Sequence, residues 1–265
     1  MEYQNQIGGR AEMVKFLGDH LLKPTTIYEV ESYLKMSKQL EAVAPECCFV
    51  YGRGVLTEMR KCKTCSHPTS MKKVMSLIDA DPSGSYLILK DMAHGMSKPR
   101  FIDLKLGTRT HSDYISDQKK ANHILKSKVT TTSALGLRLC GARFFGKSDG
   151  QLVHWKKDFG KAINKEEFTN IMAVFFDLPT EQIYSAIRQL LKIKVVLETS
   201  PKHRYFGSSL LIIIDDDDDC MVKVKLIDFS SMARSEDGTP QYEDVDEGAI
   251  FGINNLLQML NNNNK

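Results

Sequence analysis

Long apolar runs are missing from this sequence. No stretch approaches the roughly 20 residues that cross a bilayer, so no transmembrane segment is expected. The opening residues, "MEYQNQIGGR", lack a basic region followed by an apolar one, so no secretory signal is expected either. Cysteine is sparse, with six in 265 residues. That is too few to staple a chain of this size, and a reducing setting, cytoplasmic or nuclear, fits better. One cysteine spacing stands out: "CKTCSH" places Cys62, Cys65 and His67 together like half of a zinc site. No second Cys/His pair follows at a suitable distance, so an ordinary loop is expected. The common phosphate-handling signatures are absent too. There is no Gly-x-x-x-x-Gly-Lys-Ser/Thr loop and no His-Arg-Asp loop, and "IDFSS" lacks the glycine of an Asp-Phe-Gly element. The turn at Gly8–Arg10 is too short for a kinase glycine loop. These absences exclude a Walker-type NTPase and a standard protein kinase. No internal repeat is present, which excludes a solenoid.

What is present suffices for a packed core, since 42% of the residues are hydrophobic. The length allows one large domain or two lobes around a cleft. The net charge is only +3, but residues 98–147 alone carry +8 and the remainder −5. Such a concentration points to a polyanionic partner: nucleic acid, an anionic membrane, or a small molecule with several phosphates. Few aromatics interleave the basic residues, so nucleic acid is the least favoured of the three.

The first ninety residues read as a small α+β unit. "HLLKP" is expected to be a strand ending at Lys23 and stopped by Pro24. "TTIYEVESYLKMSKQL" reads as one helix capped by Thr25 or Thr26, with Ile27, Val30, Tyr33 and Leu34 on one face. "PECCFVYGRGVL" and "SYLILKDM" read as strands, with a turn at Asp81–Gly84 between elements. A boundary is expected near residue 92, dividing 1–92 from 93–265. Beyond it come the strand "FIDLKL", a helix over about residues 116–127, and the strand "GLRLCGARFF". A helix capped by Asn164 and Glu167 follows, then a second with Ile183, Ile187, Leu190 and Leu191 inward. "YFGSSLLIII" and "CMVKVKLIDF" read as strands joined by a solvated "DDDDD" loop, and "GAIFGINNLLQML" as a last helix fraying into "NNNN".

Three places carry chemistry. In "FIDLKLG", period two puts Asp103 and Lys105 on one face and Ile102, Leu104 and Leu106 on the other, with only Phe101 out of pattern. On the following helix, Lys119, Asn122, His123 and Lys126 share a face opposite Ala121, Ile124 and Leu125, which are expected to be buried. Two lysines so placed gain nothing from each other and suit an anion between them. Asp228 ends an apolar strand, where a carboxylate holds Mg²⁺ or merely caps a turn. Lys23 ends another strand, with Glu29 and Glu31 on the next helix, and resembles the lysine–glutamate pair that binds phosphates in protein kinases.

Taken together, "PRFIDLKLG", "SSLL" at Ser208–Leu211 and "IDF" at Ile227–Phe229 resemble, in order, the three signatures of the inositol polyphosphate kinases. "LLKP" and "EVESY" lie upstream, and the resemblance runs from about Ile7 to Leu260. "LKLGTRTHSD", "TTSALGLRLCG", "RYFGSSLL" and "FGINNL" look most like the inositol hexakisphosphate kinase branch. The chain departs from it in the short "DDDDDC" turn, where animal members carry a long insertion, and in Ser231, where many relatives have His.

The resemblance implies an α+β, two-lobed, protein-kinase-like fold. An N-terminal lobe, 1–92, would bind ATP, and a C-terminal lobe, 93–265, would carry a small helical substrate-binding insertion at about 113–128. It implies an enzyme that uses ATP and Mg²⁺ to make a diphosphoinositol from inositol hexakisphosphate. The alternatives are a multikinase acting on less phosphorylated inositols such as a trisphosphate, and a non-catalytic inositol-phosphate-binding protein. Lys23, partnered by Glu29, would contact the ATP phosphates, and the backbone of Lys90, Asp91 and Met92 would read adenine. Asp103 would sit between ribose and the reacting group, Lys105 would reach substrate and transferring phosphoryl group, and Asp228 would hold Mg²⁺. Lys119 and Lys126 would bind substrate phosphates, with Ser209, Arg109, His111 and Lys120 as further pocket candidates. A monomer that binds no nucleic acid is expected.

Overall fold

The computed structural model describes residues 6–7, 12–16, 18–147, 149–235 and 242–262. The expected turn at Gly8–Arg10 lies outside them, as does the end of the asparagine tail past Asn262. In chain order the elements are β1 (Val14–Phe16), β2 (His20–Thr25), α1 (Ile27–Leu34), α2 (Lys38–Val43), β3 (Cys47–Gly52), β4 (Val55–Glu58), α3 (Pro68–Asp79) and β5 (Ser85–Lys90). There follow β6 (Pro99–Leu106), α4 (Asp117–Val129), α5 (Thr131–Leu135), β7 (Leu137–Phe145), β8 (Leu152–Trp155), α6 (Lys157–Ala162), α7 (Lys165–Phe175) and α8 (Thr180–Glu198). The chain ends with β9 (His203–Arg204), β10 (Ser209–Asp215), β11 (Val222–Ile227), β12 (Ala233–Arg234) and α9 (Glu247–Asn262). No helix among the described residues is long and apolar enough to cross a membrane.

Two five-stranded sheets organise the chain. The first runs β1-β2-β5-β3-β4 and the second β11-β10-β6-β7-β8. The segment between β5 and β6, residues 91–98, joins them and contains residue 92. The central strands β3 and β5 of the first sheet serve two cores by alternation. Leu22, Phe49, Tyr51, Tyr86 and Ile88 pack outward against Val74 and Ile78 of α3. Val50, Leu87 and Leu89 point the other way, into the main core with Val30 and Tyr33 of α1. That main core is continuous with the second sheet, where Ile102, Leu104 and Leu106 join Leu210, Ile212, Ile214, Val224 and Leu226 under α8 and α9. Each such fully buried Leu or Ile contributes about 1.5–3 kcal/mol of transfer free energy.

Several local expectations are corrected. Pro24 does not stop β2, which runs on to Thr25 with Pro24 opposite Tyr86. β1 pairs only as far as Leu22, so Pro24 lies where β2 is an edge and a missing N–H is tolerated. The single helix from Ile27 is two helices broken at Lys35–Ser37, because the Ser37 hydroxyl accepts from the Leu40 N–H and starts α2 anew. Thr26 caps α1, and Val30 and Tyr33 are buried, but Leu34 is exposed at its frayed end. On α8, Ile183 and Leu190 are buried while Leu191, one residue past the inward stripe, is exposed. α3 was not foreseen; Pro68 at its first position and the His67 side chain, accepting from Thr69 N, begin it. The capping box of Asn164 and Glu167 is present.

The acidic run is not a purely solvated loop. Asp215 is buried and accepts from the N–H groups of Ser97 (2.7 Å) and Lys98 (2.8 Å), and Asp216 pairs with buried Arg100. On α4 the expected buried face, Ala121, Ile124 and Leu125, is exposed, while Lys119 and Asn122 are exposed as expected. Val129 is also exposed, whereas Lys120, His123 and Lys126 are half-buried and Ser127 is buried.

The close approach of α5 to α9 needs glycine. Gly136 caps α5 with φ +61°, and a Cβ there would meet Gly252 N at 2.8 Å and Gly252 Cα at 2.9 Å. Gly136→Ala is expected to cost about 2–3 kcal/mol through backbone strain and overpacking. Gly150→Ala, with φ +63° but open space around it, is expected to cost about 1 kcal/mol. Urea denaturation of both variants checks the difference; equal losses would refute the packing argument.

Candidate functional site

The site lies where β2 of the first sheet meets the strand ends of the second. Lys23 Nζ lies 3.0 Å from Glu29 Oε1 and 2.8 Å from Asp228 Oδ1. Glu29 is the third residue of α1 after its cap, where a glutamate would ordinarily turn back to the cap backbone. Here its carboxylate instead takes Lys23, the Thr25 hydroxyl and the Phe229 N–H (3.2 Å), at a helix start that favours negative charge. Burial works against the Lys23 charge, but Asp228 and Glu29 outweigh it and hold the ammonium protonated above the ordinary lysine range.

Asp228 follows β11 in a left-handed conformation, φ +63°. A non-glycine residue adopts this only when its surroundings impose it. The Ser208 hydroxyl donates to its carbonyl (3.0 Å), and α1 grips the next residue through Glu29 and through the Ser32 hydroxyl, which donates to Phe229 O (3.0 Å). The buried Phe229 ring meets Tyr33 edge-on at 5.7 Å. Burial tends to raise the Asp228 carboxyl, but Lys23 and Lys105 more than offset it and hold it below the usual carboxylate range.

Lys105 and Ser209 are paired across β6 and β10, and Ser209 is paired with Ile227 across β10 and β11. Lys105, Ser209 and Asp228 therefore sit side by side at one end of the sheet. Lys105 Nζ donates to the carbonyl of Gly207, which has φ +75° and lies against Ser231 and the Thr110 carbonyl. Asp103, two residues before Lys105, is buried opposite Gly141 and Leu211. Its carboxyl and the Ser209 hydroxyl are both buried and lie within hydrogen-bonding reach of each other. Burial, opposed by Lys105, pushes the Asp103 carboxyl up to about 6. At the other end of this face Phe101 packs with Ala93 and Ile213, near Met92. That small cluster explains why Phe101 departs from the alternation, and it makes the face apolar near the lobe junction and charged at the far end.

The remaining expected residues are placed as follows. Lys90 N and Asp91 N donate to Glu46 O (2.9 Å) and Asp19 O (2.8 Å), and Met92 O accepts from Lys223 (2.6 Å), so much of this backbone is already engaged. Arg109 is fastened by Asp113, the Tyr242 hydroxyl (3.4 Å) and the His111 carbonyl (3.1 Å), and lies over the Phe206 ring. It therefore orders the loop that leads to α4. His111 is buried, its ring 5.9 Å from that of His123, and burial, reinforced by Arg109, lowers its pKa. Lys119 is exposed on α4, whereas Lys120 and Lys126 are half-buried. Sequence reasoning missed Gly207, Ser208 and Tyr242 as supports. Only the glycine before "SSLL" carried a signal, because a glycine entering a strand marks a backbone special case.

A sequence model of the inositol polyphosphate kinase family matches residues 86–261, well over half of the chain. Inositol hexakisphosphate kinase 3 of Mus musculus is 28% identical over 216 residues, covering 73% of this chain and 54% of that protein. Inositol hexakisphosphate kinase 2 of Homo sapiens is 31% identical over 129 residues, covering 47% of this chain and 30% of that protein. The chain thus spans about half, or less, of the length of these relatives. Among solved structures, the inositol phosphate multikinase Ipk2 of S. cerevisiae, in complex with ADP and Mn²⁺, superposes with a TM-score of 0.70. It is 20% identical, and the match covers 94% of this chain and all of that one, which establishes the shared mixed α/β fold with two sheets.

The raised Asp103 pKa carries a stability consequence for the ligand-free protein. The unfolded chain releases this proton near pH 4 and the folded chain near 6, so folding loses stability as pH rises through that window. Asp103→Asn is expected to stabilise the protein at pH 7.5 by about 3 kcal/mol, with the gain vanishing near pH 4. Urea midpoints at the two pH values check this; a variant destabilised at pH 7.5 would refute it.

Proposed function

The chain belongs to the inositol polyphosphate kinase family, and from that premise we propose that it is an ATP- and Mg²⁺-dependent kinase that converts inositol hexakisphosphate to a diphosphoinositol. The observation that carries this reading is the convergence of Lys23, Lys105 and Asp228 where the two sheets meet. Phosphoryl transfer asks for alignment and charge neutralisation rather than covalent help. The two sheets are taken as the bodies of two lobes, divided at residues 92 and 93.

Lys23, aimed by Glu29, binds ATP phosphates, and the apolar end of the β6 face beside Met92 receives the base. Asp228, with the Asp103 carboxyl nearby on the same face, supplies hard oxygen donors that fit Mg²⁺. The ion, when bound, neutralises phosphate charge. Lys105, held by the Gly207 carbonyl, stands between nucleotide and substrate, and Ser209 shapes that corner. α4 presents the substrate side. A helix gains little from exposing Ile124 and Leu125 while turning His123 and Lys126 inward unless its inner side faces something polar. A substrate with six phosphates meets that condition, with Lys120 and Lys126 as cations on that side, Lys119 at the exposed rim, and His111 as a neutral hydrogen-bonding group. A cytoplasmic or nuclear location is part of this reading and rests on the six free cysteines.

A second reading, a multikinase acting on hydroxyls of less phosphorylated inositols, is favoured by Asp103. A buried carboxyl with a pKa near 6 suits a general base for a hydroxyl. A phosphate nucleophile needs none.

Incubation with ATP, Mg²⁺ and each inositol phosphate, followed by chromatography, tests both readings. A diphosphoinositol from the hexakisphosphate is expected; turnover confined to less phosphorylated inositols would establish the second reading, and binding without turnover would sink both. Lys105→Ala and Asp228→Asn are each expected to lower kcat by about 100-fold or more. Full activity in either variant would overturn the role given to that residue.

A further inference from the structure

The "CKTCSH" spacing acquires partners in three dimensions that it lacks in sequence. His20, Cys48, Cys62 and Cys65 bring one ligand atom each to within 4.8 Å of one another. His67, the expected third member, is exposed at the start of α3 and takes no part. The partners come from upstream: His20 opens β2, and Cys48 lies on β3. We propose that these four side chains form a closed structural site for a zinc ion on the outer face of the first sheet.

The separations suit a four-coordinate centre. Cys48 Sγ and Cys62 Sγ lie 3.5 and 3.4 Å from His20 Nε2. Zn–S bonds of about 2.3 Å and a Zn–N bond of about 2.0 Å at the tetrahedral angle require S···N separations of roughly 3.5 Å. The imidazole is oriented from behind, with Asp19 Oδ1 2.7 Å from His20 Nδ1, which leaves Nε2 to face the thiols. The backbone is arranged for the same purpose. A bulge between Cys47 and Phe49 lets Cys48 face outward on the same side as Phe49. The N–H groups of Met59 and Arg60 donate to Cys48 O (2.9 and 3.4 Å), bringing the chain after β4 up to it. Ser66 N then donates to Cys62 O (2.9 Å), closing the Cys-x-x-Cys turn that presents two sulfurs to one ion.

Burial decides the class of site. His20, Cys48 and Cys65 are at most 1% exposed and Cys62 is half-buried. With four protein ligands and no open position, the ion is structural. Three thiolates and one imidazole in tetrahedral array select zinc over harder cations. The ion would tie β2, β3 and the β4–α3 loop together in a sheet whose outer core is small, where such a staple contributes most.

Elemental analysis of the full chain, purified under reducing conditions without chelator, tests this. About one zinc per chain is expected. Cys65→Ser and His20→Ala are expected to retain less than about a tenth of it, while Cys220→Ser, at an exposed thiol outside the cluster, retains it all. Because the cluster variants can fail to fold, the wild-type protein is also stripped with a mercurial and reloaded with Co²⁺. The visible absorption of a tetrahedral thiolate–cobalt centre is expected, as is a melting temperature that falls by about 5 °C or more on stripping and returns with zinc. Folded wild-type protein that holds no zinc, a disulfide among Cys48, Cys62 and Cys65, or iron in place of zinc would each overturn the proposal. None of these readouts depends on kinase activity.

Discussion

A lysine held between two carboxylates ties the two sheets together. Lys23 and Asp228 are 205 residues apart, one on the first sheet and one at the end of the second. Burying an ammonium is costly unless it is paired and hydrogen-bonded, so Lys23 needs both Glu29 and Asp228. The demand propagates outward. Glu29 must start a helix at a fixed distance from β2, and Asp228 must leave its strand in a left-handed turn. Ser208, Ser32 and the buried Phe229 ring then hold that turn, whose conformation alone costs on the order of 1 kcal/mol or more. The trio carries one excess negative charge. It is therefore suited to a cation-bearing phosphate group more than to a bare one, and Lys105 adds the next positive charge along the same edge.

The face that receives this edge changes character along its length. Phe101 and Ile213 make it apolar near the lobe junction, and Asp103, Lys105 and Ser209 make it polar beyond. α4 extends the polar end by turning Lys120, His123 and Lys126 partly inward. Propensity and packing would set that helix the other way round, so its orientation reflects what it faces.

Much of this was legible because period two is a strong signal. In "FIDLKLG" the alternation separates Ile102, Leu104 and Leu106 from Asp103 and Lys105, and the structure keeps that division. The Asn164–Glu167 box and the Thr26 cap were legible because capping is local. What failed needed distant information. Pro24 continues its strand because β1 ends early. Leu34 and Leu191 fall just outside their helices' buried stripes, a displacement set by neighbouring elements. α4 followed the rule that apolar residues go inward, which holds only when the body beside the helix is apolar. The cysteine cluster was not legible from the Cys62–Cys65 spacing because its other members, His20 and Cys48, lie upstream on separate strands.

The first sheet must serve two faces at once, and the bulge at Cys48 reconciles them. Cys47 lies in the main core and Phe49, two residues on, in the outer one, which unbroken alternation forbids. Without the extra residue, one side of the bulge would be inverted. Either Cys48 would turn away from His20 and Cys62, or Val50 would leave the core that backs Lys23. The cysteine–histidine cluster and Lys23 thus sit on opposite faces of one sheet, His20 and Lys23 three residues apart on one strand. Fixing the start of β2 from the outer face fixes the register that aims Lys23 from the inner one.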